Sequence, residues 1–156
     1  MAKTHTESVI APMSPREAAE LSALLTGSRP DYIAHFHPFD FDEKSVRARL
    51  NQARKDLYWS IRCGEALAGF FMLRGFDEGY ERPAFGVFVA EEFSGRGLAR
   101  RALAEAMKWC EANGVREMLL SVYRENPAAV RIYEEAGFAE TGRNGKRIIM
   151  TKRLAK

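Results

Sequence analysis

The chain has 156 residues, 46% of them apolar and 29% charged, which is the size and composition of one globular domain with a single core. Its formal charge of +3 is mild and its Lys and Arg are scattered, so it suits an anionic small ligand and carries no nucleic-acid signature. Cys63 and Cys110 are too few for a secreted disulfide scaffold and lack metal-ligand spacing, and no apolar leader or run near about 18 apolar residues occurs, so the expected compartment is a reducing cytoplasm with no membrane partner.

Residues 1–6 read as a frayed start and residues 9–13 as a first strand. Ser14-Pro15-Arg16-Glu17 predicts a helix start: Ser14 caps, Pro15 suits the first helical position, and Glu17 completes a capping box. Gly27 ends that helix. Residues 29–42 are irregular and aromatic, with Pro30 and Pro38 opposing a regular element, and they carry His35 and His37. Asp42 caps a second helix over 43–55. Residues 57–62 and 66–73 form an antiparallel hairpin around Cys63-Gly64-Glu65, and 74–82 is a charged loop. A central strand follows over 83–90, then a long helix to Ala112 with Leu98, Ala102, Leu103, Ala106, Met107 and Cys110 on one face. Asn113-Gly114 stops it. Residues 115–123 are a strand, Asn126-Pro127 opens a helix that Gly137 ends, and 138–141 and 147–151 close the chain as a hairpin around Asn144-Gly145. The expected fold is α/β (α+β): one domain over residues 1–156, with a mixed, mostly antiparallel sheet of about six or seven strands and helices on both faces.

The stretch Val87-Phe88-Val89-Ala90-Glu91-Glu92-Phe93-Ser94-Gly95-Arg96-Gly97-Leu98-Ala99-Arg100 organises this order. Its strand is apolar on both faces, so it belongs inside a sheet. Gly95 and Gly97 strip side chains where the strand turns into the helix, leaving backbone N–H groups at a helix N-terminus, a site suited to phosphate or pyrophosphate. Arg96, Arg100 and Arg101 add positive charge. The dinucleotide fingerprint fails because Arg100 stands where it needs a small residue, and the P-loop Gly-Lys-Ser/Thr is absent.

Ser94-Gly95-Arg96-Gly97-Leu98-Ala99 resembles the Gln/Arg-x-x-Gly-x-Gly/Ala motif of the GNAT family of N-acetyltransferases, with Ser94 in place of Gln or Arg. Downstream, Asn126, Ala129, Tyr133, Gly137 and Phe138 match the family's Asn-x-x-Ala-x-x-x-Tyr-x-x-x-Gly-Phe. The resemblance covers the second half of the chain by motif and the first half by element order. It implies acetyl-CoA as cosubstrate, with Phe88 and Val89 along its pantetheine arm, the turn from Gly95 to Arg100 on its pyrophosphate, Asn126 facing it, and Tyr133 near the thioester sulfur. It also implies an amine acceptor, direct transfer without a covalent enzyme intermediate, and a homodimer as a state common in the family. No metal is implied, since His35-x-His37 without further ligands does not make a site.

The physics is compatible with those roles. Asn126, Val130 and Tyr133 fall at i, i+4 and i+7 and share a helix face. A backbone N–H near Val89 suits the developing oxyanion. A phenol, with a reference pKa near 10, suits protonation of a departing thiolate. The bland alternatives are that Asn126 is only a cap, that Tyr133 is a core aromatic, and that Gly137-Phe138 is a helix stop and a core ring. For the base, Ala84 stands where many relatives carry Glu. Glu81 is the expected proton acceptor, with Glu78, Asp77, a water chain, His35 and His37 as other candidates. The loop 72–81 and His37-Pro38-Phe39 resemble acetyltransferases of polysaccharide or nucleotide-sugar assembly, which implies an amino-sugar acceptor with Arg74 or Arg82 on its phosphates. The expected function is acetyl transfer to a primary amine. The alternatives are a protein N-terminal or lysine acetyltransferase and a non-catalytic acyl-CoA-binding regulatory module.

Overall fold

Seven strands form one sheet in the order β1-β2-β3-β4-β5-β7-β6 in the computed structural model, which describes residues 8–154. The expectation for residues 1–6 lies outside the described residues. The strands are β1 (Ser8–Pro12), β2 (Leu57–Cys63), β3 (Ala66–Arg74), β4 (Ala84–Val89), β5 (Glu117–Tyr123), β6 (Ala139–Asn144) and β7 (Arg147–Arg153). The helices are α1 (Ala18–Thr26), α2 (Glu43–Gln52), α3 (Leu98–Ala112) and α4 (Pro127–Glu135). Every pairing is antiparallel except that of β4 with β5, so the expected mixed sheet is what the chain builds.

Strand alternation divides the apolar side chains between two cores. On one face, α1 and α2 bring Leu21, Leu25, Val46 and Leu50 against Phe70, Met72 and Phe88. On the other, Ala102, Leu103, Ala106 and Cys110 of α3 pack on Phe71, Leu73, Phe85, Met118 and Leu120. Seven consecutive residues of β3 are buried because it is covered on both faces. Each large side chain buried there contributes about 1.5–3 kcal/mol. The central strand β4 is less buried than its apolar sequence implies: Ala84, Gly86, Val87 and Val89 are half-buried, because one edge of β4 borders an open cleft.

The Ser14 capping box forms in full, and its first turn is a 3-10 turn, Pro15–Glu17, ahead of α1. The second helix stops at Gln52, three residues short of the expected 55. The cause is distant in sequence. The Asp77 carboxylate accepts the N–H groups of Arg54 (3.0 Å), Lys55 (2.6 Å) and Asp56 (3.3 Å) and holds them in a turn. Asp56 reciprocates through Oδ1, which accepts the N–H groups of Gly75 and Asp77, both at 3.0 Å.

These backbone donors hold the Asp77 carboxyl below the usual carboxylate range. A depressed folded-state pKa gives stabilisation that is complete above the unfolded value, about 3.9, and is lost as pH falls through the lower folded value. Asp77→Ala should therefore melt at a lower temperature than the parent at neutral pH, with the gap constant down to about pH 4 and closing below it. Thermal melts across that range check this; a gap that widens in acid would show that the bonds are not the source.

Candidate active site

The cleft begins with a failure of strand pairing. The β4–β5 ladder holds one registered pair, Ala84 with Leu119, and the Leu119 N–H donates to the Pro83 carbonyl at 3.0 Å. Beyond it the strands part. β5 is zipped to β7 over its whole length, from Glu117–Arg153 to Tyr123–Arg147. The end of β4 is held by β3, where the Ala90 N–H donates to the Ala68 carbonyl at 2.8 Å. Because backbone groups alternate along a strand, the Val87 and Val89 N–H groups then face away from β3, into the gap, without ladder partners. A cleft of about 1500 Å³ passes through this opening, lined from both faces of the sheet.

On the α3–α4 face the wall is the glycine turn. Ser94 spends its side chain locally: its Oγ donates to the Glu91 carbonyl at 2.7 Å, which fixes the entry to the turn. Gly95 and Gly97 have φ of 78° and 79°, a region that disfavours side chains, whereas a Cβ at either position would meet nothing within 4 Å. Backbone hand, not packing, therefore demands glycine, and the space in front of the turn is free. Ser94, Gly95, Gly97, Leu98, Ala99 and Arg100 line the cleft. Arg96 does not; its guanidinium lies 5.1 Å over the Phe93 ring. Arg100 pairs with Glu135 at 2.6 Å and ties α3 to α4.

α4 has no fully buried residue because it forms a wall of the cleft. Asn126 caps it, accepting the Ala129 N–H at 3.3 Å, and also lines the cleft. Phe88 and Val89 lie along the gap opposite. Tyr133 sits edge-on between Phe85 (6.4 Å) and Phe138 (6.2 Å). Desolvation pushes its phenol up to about 12, so it keeps its proton at all ordinary pH.

On the α1–α2 face, Ala84 and Gly86 of β4 and Leu119, Ser121 and Tyr123 of β5 form a floor of mostly small side chains. Segment 29–42 covers it. Arg29 grips Glu91 through two bonds, at 2.8 and 2.6 Å, and the Tyr32 hydroxyl donates to the Val89 carbonyl at 2.6 Å. The His35 ring packs on Tyr123 with centroids 4.3 Å apart. His37 lies instead beside Asp40 (3.7 Å) and Phe41.

The acidic candidates separate clearly. Asp77, offered as a base, is spent on the backbone of residues 54–56. Glu81 and Glu78 line the cleft from the exposed loop before Ala84, where Arg82 pairs with Glu117 at 3.1 Å. From Ala84 to Val87 alone the strand advances about 10 Å. Tyr133 and Glu81 both line the cleft, Tyr133 against Phe85 on the α3–α4 face and Glu81 in the exposed loop ahead of β4. Arg74, expected to bind phosphates, donates to the Pro38 carbonyl at 3.1 Å and lies over Phe39. Sequence reasoning missed Tyr32, Ser121, Tyr123 and Arg147. The strand residues had a readable signal: 118, 120 and 122 are apolar and buried, so 117, 119, 121 and 123 had to face the other side. Tyr32 had none.

Comparison with known proteins agrees with this architecture. The chain is 30% identical over 101 residues to the N-acetyltransferase YycN of Bacillus subtilis, covering 62% of this chain and 60% of that protein's length. It is 30% identical over 104 residues to the ribosomal protein bS18-alanine N-acetyltransferase of Salmonella typhimurium, covering 67% and 68%. The crystal structure of a PaiA N-acetyltransferase from Thermoplasma acidophilum, in complex with coenzyme A, superposes with a TM-score of 0.78 at 18% identity, covering 94% of this chain and 99% of that one. The family model described as the acetyltransferase (GNAT) family matches residues 21–138, a span that takes in the covering segment, the glycine turn and Tyr133, and the chain therefore belongs to the GNAT family.

Proposed function

We propose that the chain is an acetyl-CoA-dependent N-acetyltransferase acting on the primary amine of a small molecule such as an amino sugar. The observation that carries this is the gap through the sheet. It has a phosphate-suited glycine turn on one face, a covered floor of small side chains on the other, and two unpartnered N–H groups between them. The site fits the cosubstrate: an extended arm can hydrogen-bond along the free edge of β4, and Gly95 and Gly97 face open space where a pyrophosphate would sit. Acetyl-CoA supplies an activated acyl group at a thioester. The acceptor nitrogen forms the new C–N bond at the carbonyl carbon as the C–S bond breaks. In this reading the N–H groups of Val87 and Val89 receive the developing oxyanion, and Tyr133 gives the departing sulfur a proton.

The covering segment favours a small acceptor. It closes onto β5 through His35 and Tyr123, whereas a peptide needs an open groove. Calorimetric titration with acetyl-CoA tests the reading: saturable binding in the micromolar range supports it, and no binding at millimolar ligand by folded protein overturns it. Gly97→Val should raise Kd by about five- to thirtyfold, since a β-branched residue resists the left-handed conformation at a cost of about 1–2 kcal/mol.

A further inference from the structure

We infer that His35 is the group that takes the proton from the acceptor amine, an assignment that rests on the acetyl-transfer reading above. Residues 29–36 coil into consecutive turns, with the N–H groups of Tyr32 and Ile33 donating to the Arg29 carbonyl and that of Phe36 to the Ile33 carbonyl. Tyr32 and His35, three apart on such a turn, project to the same side. The β4–β5 register then fixes what they meet. Phe88 and Tyr123 each lie four residues past the paired Ala84 and Leu119, so they face each other across the opened gap. Tyr32 contacts the β4 lip through the Val89 carbonyl, and its ring lies 6.0 Å from that of Phe88. His35 contacts the β5 lip through Tyr123. The segment is therefore a strap across the gap on the acceptor face, opposite Tyr133, and it carries an imidazole at the level of the free Val87 and Val89 N–H groups.

The other proton acceptors are accounted for. Glu91 is held by Arg29, Glu117 by Arg82, and Asp77 by three backbone N–H groups, while His37 lies beside Asp40. Glu78 and Glu81 lie in the exposed loop before β4, about 10 Å or more of strand short of Val87, and Ala84 offers only a methyl group. His35 is exposed, lines the cleft, and forms no ion pair among the described residues. The charged groups around it are Arg147 of β7, whose guanidinium lies 5.3 Å over the Tyr123 ring that His35 packs on, and Arg29, Asp31 and His37 on its own segment.

A free imidazole ring nitrogen can accept a proton, as removal of an ammonium proton requires. The balance closes with one proton released to solvent. The ammonium gives one proton to the His35 ring nitrogen, the freed nitrogen gives its electron pair to the acetyl carbon, and the new amide nitrogen sheds its second proton to solvent. The C–S pair leaves on sulfur and takes the Tyr133 proton. The imidazolium returns a proton to the phenolate through solvent.

Bromoacetyl-CoA tests the placement without knowledge of the acceptor, because its electrophilic carbon lies beside the thioester carbonyl. A neutral imidazole nitrogen there forms an N–C bond and expels bromide, leaving an adduct that peptide mass spectrometry locates. The expected result is an adduct on His35 that excess CoA suppresses and that His35→Gln lacks. No adduct on His35, from a reagent that competes with CoA for binding, overturns the proposal. A reagent that does not compete with CoA at all overturns the acetyl-transfer reading instead.

The role is then tested with two amines. Ethylamine is protonated at neutral pH and needs a base, whereas hydroxylamine is already neutral. His35→Gln should slow acetylation of ethylamine by about 10²-fold and that of hydroxylamine only a few-fold. An equal fall for both overturns the role of proton acceptor. No catalysed transfer to either amine counts against the acetyl-transfer reading, while the adduct still reports where His35 lies.

Discussion

Tyr133→Phe should lower kcat by about 10²-fold or more while changing the Kd for acetyl-CoA by no more than a few-fold. The substitution removes one oxygen and keeps the ring, so the edge contacts with Phe85 and Phe138 remain. A hydroxyl that served only packing would be nearly neutral to lose; one that protonates the departing sulfur acts only as the C–S bond breaks, and its loss falls on kcat. The desolvated phenol, pushed up to about 12, sets the sign of the pH dependence. The acid form is present below that value, so deprotonation of Tyr133 should cause no fall in rate across the ordinary alkaline range. Steady-state rates for the variant, beside titration with acetyl-CoA, check both statements. Equal loss of turnover and binding, or loss of neither, would remove Tyr133 from the role of acid.

Tyr133 and the glycine turn were legible in the sequence because both depend on short-range signals. A helix face repeats every three or four residues, and a left-handed turn needs its glycines in place, so Asn126, Tyr133, Gly95 and Gly97 could be read locally. The capping box at Ser14 was legible for the same reason; the closing hairpin was legible too, but its two-residue loop is Gly145-Lys146, one residue past the expected Asn144-Gly145, because Asn144 pairs with Arg147 as the last residue of β6. Segment 29–42 was not. Its contacts run to Val89, Glu91 and Tyr123, far along the chain, and no periodicity encodes them. The end of α2 was misjudged because Asp77, more than twenty residues downstream, captures the N–H groups that would have continued it. Glu81 drew notice as an acid near the central strand. Whether it reaches the gap depends on where β4 and β5 separate, and that is set by the partners on their far sides, β3 and β7.

That dependence makes Gly69 on β3 the second position of large expected effect. Gly69→Ala should destabilise the fold by about 3 kcal/mol and weaken acetyl-CoA binding in the fraction that remains folded. A Cβ at Gly69 would stand 2.2 Å from the Phe88 carbonyl oxygen and 3.0 Å from the Val89 Cα. Both are backbone atoms, so no rotamer relieves the clash, and β4 must move away from β3. The only open space on its other side is the gap. A methyl group 69 residues into the chain should thus narrow the opening that holds the cosubstrate's arm. Gly86→Ala is the control. Its Cβ would lie 2.6 Å from the Cε of Met72, the free end of a flexible side chain that can swing aside, so stability and acetyl-CoA binding should both change little. Chemical denaturation and calorimetry on the two variants separate the cases. If Gly69→Ala loses stability but binds acetyl-CoA as the parent does, the width of the gap is not set by the close approach of β3 and β4, and the pairing of β5 with β7 alone must hold it open.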